Sequence, residues 1–178
     1  EACEQKNLTI ISNNIGNSGR GLVKLLKKNM ISKAICSYVG GNPDLEERIL
    51  NGSIEISLIP QGTFIEKIRS AGAGIPAFYT KAGTDTEIEN GKETKVFNQQ
   101  KYILEEALHA DYAIIKASTG DEFGNIYFKE ASKNFSPLMA MAAKTTIVEV
   151  ENLVQIGDIP PDKIHLPGVF VQHIFEGC

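Results

Sequence analysis

The side chain best suited to chemistry is Gln61, in Pro60-Gln61-Gly62-Thr63, where a strand is expected to turn into a helix. Backbone N–H groups in the first turn of a helix have no intrahelical partner, so a neutral carboxamide placed there joins a group of donors. Donors aimed at an acyl oxygen stabilise the charge that develops when a nucleophile adds to the carbonyl, by about 3 kcal/mol for a well-placed group. Spacing alone favours a plainer reading, a Gln that caps its turn. A second loop, Ser12-Asn13-Asn14-Ile15-Gly16-Asn17-Ser18-Gly19-Arg20-Gly21, offers amides as donors and acceptors and glycines that permit close backbone approach. Its glycines do not follow the order G-x-G-x-x-G, and nothing matches G-x-x-x-x-G-K-[ST], so a phosphate cradle is weakly signalled and a turn serves equally well. A third stretch, Ala71-Gly72-Ala73-Gly74-Ile75-Pro76-Ala77-Phe78-Tyr79-Thr80, reads either as a helix stop and tight passage or as a narrow wall along which a thin acyl chain or pantetheine arm slides.

Conventional nucleophile arrangements are missing. His109, His165 and His173 have no G-x-S-x-G serine to serve, and Cys3, Cys36 and Cys178 show neither a catalytic-thiol signature nor metal-like spacing, so no metal is expected. His165 reads as an imidazole bonded to backbone at a strand edge. Glu46-Glu47, Glu105-Glu106 and Glu149-Val150-Glu151 read as exposed charges at helix or strand ends.

The elements that must position these loops follow from the hydrophobic pattern. Short β-branched runs alternate with amphipathic stretches, the mark of parallel strands covered by crossover helices, so the class is α/β with an open, mostly parallel sheet and flanking helices. Strands are expected at 8–12, 34–39, 54–59, 112–116, 145–150 and 164–171. Helices are expected around 22–26, at 44–51 closed by Gly52, at 62–68 with Thr63 and Glu66 as a capping box and Gly72 at the end, and at 138–143. Residues 80–100, rich in Thr, Glu, Lys, Gly and Asn, read as a loop with at most short antiparallel strands, and 121–125 as a hairpin.

The 178 residues fit a single domain spanning 1–178. The net charge of -4 is spread along the chain, unlike a nucleic-acid binder, and Lys24, Lys27 and Lys28 suit the solvated end of a short helix. An odd cysteine count favours a reducing compartment, and neither a bilayer-spanning run nor a signal-peptide core is present in these residues, so a cytoplasmic protein is expected.

Taken in order, Ser12-Asn13-Asn14, Ser37-Tyr38-Val39-Gly40, Pro60-Gln61-Gly62-Thr63, Gly72-Ala73-Gly74-Ile75-Pro76-Ala77-Phe78-Tyr79-Thr80, Lys133-Asn134-Phe135 and Ile164-His165-Leu166-Pro167 resemble the α subunit of the succinyl-CoA:3-ketoacid and acetate/acetoacetate coenzyme A transferases. The resemblance covers nearly the whole chain. It implies the coenzyme A transferase sheet, related to those of sugar-phosphate isomerases, and transfer of CoA between short-chain carboxylic acids. It also implies a β-subunit partner whose glutamate attacks the thioester and carries CoA as a glutamyl thioester, an α2β2 assembly, and no permanently bound cofactor, the CoA thioester being a substrate. By the same resemblance Gln61 stands in the oxyanion site, and Asn13, Asn14, Gly72, Ala73, Gly74, Asn134 and Phe135 contact substrate. Glu89-Asn90-Gly91 mimics the nucleophile's context but falls in a polar loop and reads as a turn. Asp85 stands in a segment that usually carries a glycine, and the family's N-terminal strand and Gly-Gly-Phe-Gly type loop have no counterpart, so the sequence reads as N-terminally incomplete. The alternative is a non-catalytic ligand-binding or assembly domain on the same fold.

Overall fold

The computed structural model describes residues 5–17 and 19–177. Of the residues singled out above, Cys3, Ser18 and Cys178 lie outside that set. The chain divides into two compact units, Glu1–Phe64 and Ile65–Cys178.

In the first unit β1 (Leu8–Ile11), α1 (Val23–Lys27), β2 (Ile31–Cys36), α2 (Pro43–Leu50) and β3 (Glu55–Leu58) alternate as the sequence pattern requires. The strands are parallel in the order β1-β2-β3. Right-handed crossovers in that order carry both helices to one face, where Lys27 of α1 lies 3.5 Å from Asp44 of α2 and Arg48 donates to Asn29 at 2.7 Å. Ile15, Leu26, Ile31, Ala34, Leu45 and Ile54 form the core. Helix α2 starts where expected because Asn42 accepts from the Leu45 N–H at 3.1 Å and Pro43 opens the first turn, with Asp44 and Glu46 complementing the dipole. The residue pattern predicts β2 at 34–39, but the strand ends at Cys36. The N–H groups of Ser37 and Tyr38 both turn away to the carbonyl of Asn13, at 3.2 and 3.1 Å, which takes the chain out of the ladder.

Helix α3 (Gln61–Gly72) begins in the first unit and continues into the second. The expected capping box does not form. Thr63 lies inside the helix with its buried hydroxyl unpartnered, and Glu66 pairs instead with Arg69 one turn on, at 2.6 Å. Gly72 is the last helical residue, as expected, and the left-handed residue follows two positions on. The N–H of Ile75 reaches the carbonyl of Ser70 at 2.9 Å and that of Gly74 reaches Ala71 at 3.2 Å, with Gly74 at φ +72, so the left-handed closing residue is Gly74.

Beyond α3 the chain makes an antiparallel sheet in the order β4-β6-β5, from β4 (Ala77–Thr80), β5 (Thr94–Phe97) and β6 (Gln100–Glu106). Asn98 and Gln99, both at positive φ, make the two-residue turn between β5 and β6. Glu105 corrects the expectation of an exposed charge. It is 4% exposed and its carboxylate lies 2.8 Å from Lys67 of α3 and 2.5 Å from Lys92.

A mixed sheet in the order β10-β9-β7-β8 completes the second unit: β7 (Ala110–Asp121), β8 (Ile126–Tyr127), β9 (Ala143–Val154) and β10 (His173–Glu176), with α4 (Ser136–Ala142) leading into β9. Ala113, Ile115, Ala117, Val148 and Val150 alternate inward against Phe128 and Leu166. Buried Asp121 holds the expected β7–β8 hairpin by accepting from the N–H groups of Phe123 and Asn125 at 3.0 and 2.9 Å and from the Asn125 side chain at 2.9 Å. The last strand is displaced from the expected 164–171 to β10. Pro167 cannot donate to a ladder, and Gly168 passes so close to the Phe123 carbonyl that this stretch hugs the hairpin. Four of the seven described strand pairings are parallel, so the class is α/β and mostly parallel, with the strands distributed over three sheets.

Candidate active site

Because β1, β2 and β3 are parallel and adjacent, their carboxyl ends open on the same edge, the place where open α/β sheets bind ligands. Asn13 follows β1, Ser37 follows β2, and Gln61 follows β3 as the first residue of α3. The exits are tied together by backbone. The Ile59 N–H donates to the Cys36 carbonyl at 2.9 Å, and the Asn13 carbonyl takes the two N–H groups of Ser37 and Tyr38.

On this frame the Gln61 carboxamide is held from both ends. Its Oε1 accepts from the Ser37 hydroxyl, and its Nε2 donates to Asn13 Oδ1 at 3.1 Å. An amide nitrogen carries two N–H groups. The second has no partner among the described residues, and the side chain is exposed. Phe64 is the first residue of α3 whose N–H finds a helical partner, the Pro60 carbonyl at 2.9 Å, so the N–H groups ahead of it add to the donor-rich character of this turn. Asn13, Ser37 and Gln61 are neutral at any physiological pH, and among the described residues none of their side-chain hydrogen bonds goes to a carboxylate. Such a group can stabilise a developing oxyanion. It cannot itself act as nucleophile or general base.

Asn14 stands beside this trio but serves the loop. Its Oδ1 accepts from the Gly16 N–H at 2.8 Å, and the Gly16 carbonyl in turn accepts from Asn42 Nδ2 at 2.8 Å. Thus the loop after β1 is braced against the cap of α2. Gly16, at φ +80, is forced: a Cβ there would lie 2.7 Å from the Arg20 carbonyl.

The other expected contact residues belong to the second unit. Gly72 packs on the C-terminal part of α4, where an added Cβ would come within 2.6 Å of the Met141 Cβ, and Ala73 and Gly74 close α3 in exposed positions. Phe135 is the N-cap of α4, half-buried, and its carbonyl accepts from Met139 at 3.0 Å. Exposed Asn134 just before it adopts φ 39, ψ -128, a conformation that favours glycine. The two groups therefore lie at opposite ends of α4. Among the expected residues, the structure joins Asn13 and Gln61 by a hydrogen bond, while Asn14 turns to its own loop.

Ser37 belongs to a recognised motif, yet residue order alone assigns it no role. The signal that finds it is periodic: Ser37 lies 24 residues from Gln61 and 24 from Asn13, one βα unit each way.

Groups that resemble nucleophiles are otherwise engaged. Glu89 lies in a 3₁₀ turn, where its carboxylate accepts from the Asp85 N–H at 2.7 Å and from Lys101 at 2.9 Å. The backbone donor first and the ammonium second hold its pKa below the ordinary carboxylate value. Asp85 adopts φ +61, a left-handed conformation, and pairs with Lys101. His165 Nδ1 accepts from the Phe128 N–H at 3.1 Å, with the ring stacked on Tyr127 at 5.0 Å, as a backbone-bonded imidazole should be. Burial pushes the Cys36 thiol above its ordinary pKa, which removes it as a thiolate. Among the described residues no group of three His, Cys, Asp or Glu side chains is placed to hold a metal, and no helix is long and apolar enough to cross a membrane.

Comparison with known proteins places the chain in a family. The coenzyme A transferase family model matches residues 2–177. One subunit of the succinyl-CoA:3-ketoacid coenzyme A transferase of Helicobacter pylori is 51% identical over 172 residues, covering 97% of this chain and 74% of that protein. The acetoacetyl-CoA:acetate/butyrate CoA transferase alpha subunit of Clostridium acetobutylicum is 47% identical over 171 residues, covering 96% and 78%. Among solved structures, an acyl-CoA transferase from Escherichia coli in a thioester complex with CoA superposes with a TM-score of 0.86 at 22% identity, over 97% of this chain and 38% of that one, a likeness of fold. With a family match over almost all of its length and relatives near half identity, the chain belongs to the coenzyme A transferase family.

Proposed function

We propose that this chain is the α subunit of a coenzyme A transferase that moves CoA between short-chain carboxylic acids, with the nucleophile on a β subunit. The observation that carries the reading is the Gln61 carboxamide, held by Ser37 and Asn13 at the carboxyl edge of the parallel sheet with one N–H to spare. A donor without a neighbouring nucleophile is half of a covalent mechanism. The relatives are named as single subunits of their transferases, which supplies the expectation of the other half.

In this mechanism the carboxylate of a glutamate from the β subunit first attacks the acyl-CoA carbonyl, and Gln61 donates to the resulting oxyanion. Collapse expels CoA thiolate and leaves an acyl-glutamyl anhydride. The thiolate attacks the glutamyl carbonyl, releasing the first acid and forming a glutamyl thioester. The second acid then attacks that thioester, and the same steps in reverse give the new acyl-CoA. Asn13, Asn14, Gly72, Ala73, Gly74, Asn134 and Phe135 line the path of substrate, and the active assembly is an α2β2 hetero-oligomer of the cytoplasm.

The test is reconstitution. This chain alone is expected to show no CoA transfer from succinyl-CoA or acetoacetyl-CoA, and addition of a β subunit to restore it. In the restored enzyme Gln61→Ala is expected to lower kcat by about 10²-fold or more with little change in KM. Transfer by this chain alone that is abolished by Glu89→Gln would overturn the assignment of the nucleophile to a partner.

A further inference from the structure

We propose that Ser37 is a positioning residue of the transferase, whose hydroxyl decides which end of the Gln61 carboxamide is presented as a donor. The inference rests on the oxyanion role given to Gln61 above.

A carboxamide is nearly symmetric in shape and opposite in polarity at its two ends, so a donor of this kind is reliable only if something fixes its rotation by half a turn about its last bond. Two neighbours bear on Gln61. Asn13 Oδ1 faces Nε2, but Asn13 is itself a carboxamide and can present its own NH2 instead, so an Asn–Gln pair alone has two self-consistent arrangements of reversed polarity. The Ser37 hydroxyl breaks that symmetry. It has a single proton and two acceptors in reach, Gln61 Oε1 and the Asn13 carbonyl at 3.3 Å. The Asn13 carbonyl already takes the N–H groups of Ser37 and Tyr38 at 3.2 and 3.1 Å, as many donors as it has lone pairs. The hydroxyl proton is therefore directed to Gln61 Oε1. That places the NH2 end toward Asn13, one N–H bonded to Oδ1 and the other left over for an acyl oxygen. The same backbone bonds that end β2 at Cys36 thus set the polarity of the site through the next residue.

The role predicts a signature that a merely structural serine would not give. In the transferase reconstituted with its β subunit, Ser37→Ala and Ser37→Val are each expected to lower kcat about tenfold, the effect of one hydrogen bond of ordinary net strength, with KM for acyl-CoA within about twofold. Ser37→Thr, isosteric with Val but keeping the hydroxyl, is expected to restore kcat to within about threefold of the parent. In a Gln61→Ala background the same Ser37→Ala change is expected to cost less than about twofold, because there is no carboxamide left to orient. Equal activity of Thr and Val variants, or an undiminished loss from Ser37→Ala in the Gln61→Ala background, would overturn the proposal. The cycle separates the two roles: if Gln61→Ala itself leaves kcat unchanged, the oxyanion role fails; if Gln61→Ala is costly and the Ser37 variants behave as just described for refutation, only the orienting role fails.

Discussion

Gln61 Nε2 donates to Asn13 Oδ1 at 3.1 Å, across a sequence separation of 48 residues. The bond joins the exits of β1 and β3, with Ser37 at the exit of β2 between them. Gln61→Glu replaces the NH2 end with an oxygen and leaves the rest of the side chain in place. It is expected to reduce kcat in the reconstituted enzyme by about 10²- to 10³-fold, the cost of one lost oxyanion donor, while moving the thermal midpoint little because the side chain is exposed. Steady-state kinetics beside a melting curve check both halves.

Glu105 is a stability element of the second unit. Burial is the largest single influence and would raise its pKa, but hydrogen bonds from Lys67 and Lys92 and their charges together prevail, and the folded value lies below the ordinary carboxylate value of 4.5. A lowered folded pKa contributes stability that is fully present above the unfolded value and disappears as pH falls through the folded one. Glu105→Gln is expected to cost about 2 kcal/mol at pH 7, less than a fully enclosed pair because Lys92 is partly exposed. It should also flatten the pH dependence of the urea midpoint below pH 4.5, where the parent protein is losing this contribution.

Gly72 and Gly74 are separable by the reason each is glycine. Gly72→Ala drives a Cβ to 2.6 Å from Met141 Cβ and 3.1 Å from its backbone carbon, so no rotamer change relieves it, and a loss of about 1–3 kcal/mol is expected. Gly74→Ala meets nothing within 4 Å but must hold φ +72, a cost of about 1 kcal/mol that Gly74→Asn should partly recover. Urea unfolding of the three variants tests the ordering.

Asn134 sits at φ 39, ψ -128. Asn134→Gly relieves strain of about 1–3 kcal/mol against about 0.4–1 kcal/mol of added freedom in the unfolded chain, so the variant is expected to be at least as stable as the parent. Asn134→Ala, which keeps the strain and loses the polar side chain, should not be. A rise in KM for acyl-CoA in Asn134→Gly, without loss of stability, is the outcome expected of a residue that contacts substrate; an unchanged KM would remove it from the proposed path.

How far these features can be read from residue order depends on whether they are local. The β1-α1-β2-α2-β3 alternation is legible because the elements carry their own periodicity and punctuation, such as Gly52 after α2. Gln61 and Asn13 are singled out by motif order, while Ser37 is visible as part of a motif but not as a partner of Gln61, since their bond forms only where three strand ends meet. Glu105 is misread for a similar reason. A glutamate near the end of a strand looks solvated until α3 brings Lys67 onto it from 38 residues away. The run 164–171 has a strand's composition, yet Pro167 and the squeeze of Gly168 against the hairpin give it 3₁₀ geometry at Gly168–Phe170, and the pairing moves to the more polar β10.

The 24-residue interval between Asn13 and Ser37, and again between Ser37 and Gln61, makes the trio a gauge of strand register. The parallel ladders set the level at which each exit falls, so the three side chains meet only in this pairing. A slip of β2 by a single residue against its neighbours would turn its side chains to the opposite face. The hydroxyl, the carboxamide and the asparagine would then no longer meet, so assembly of the donor certifies that three strands have paired correctly.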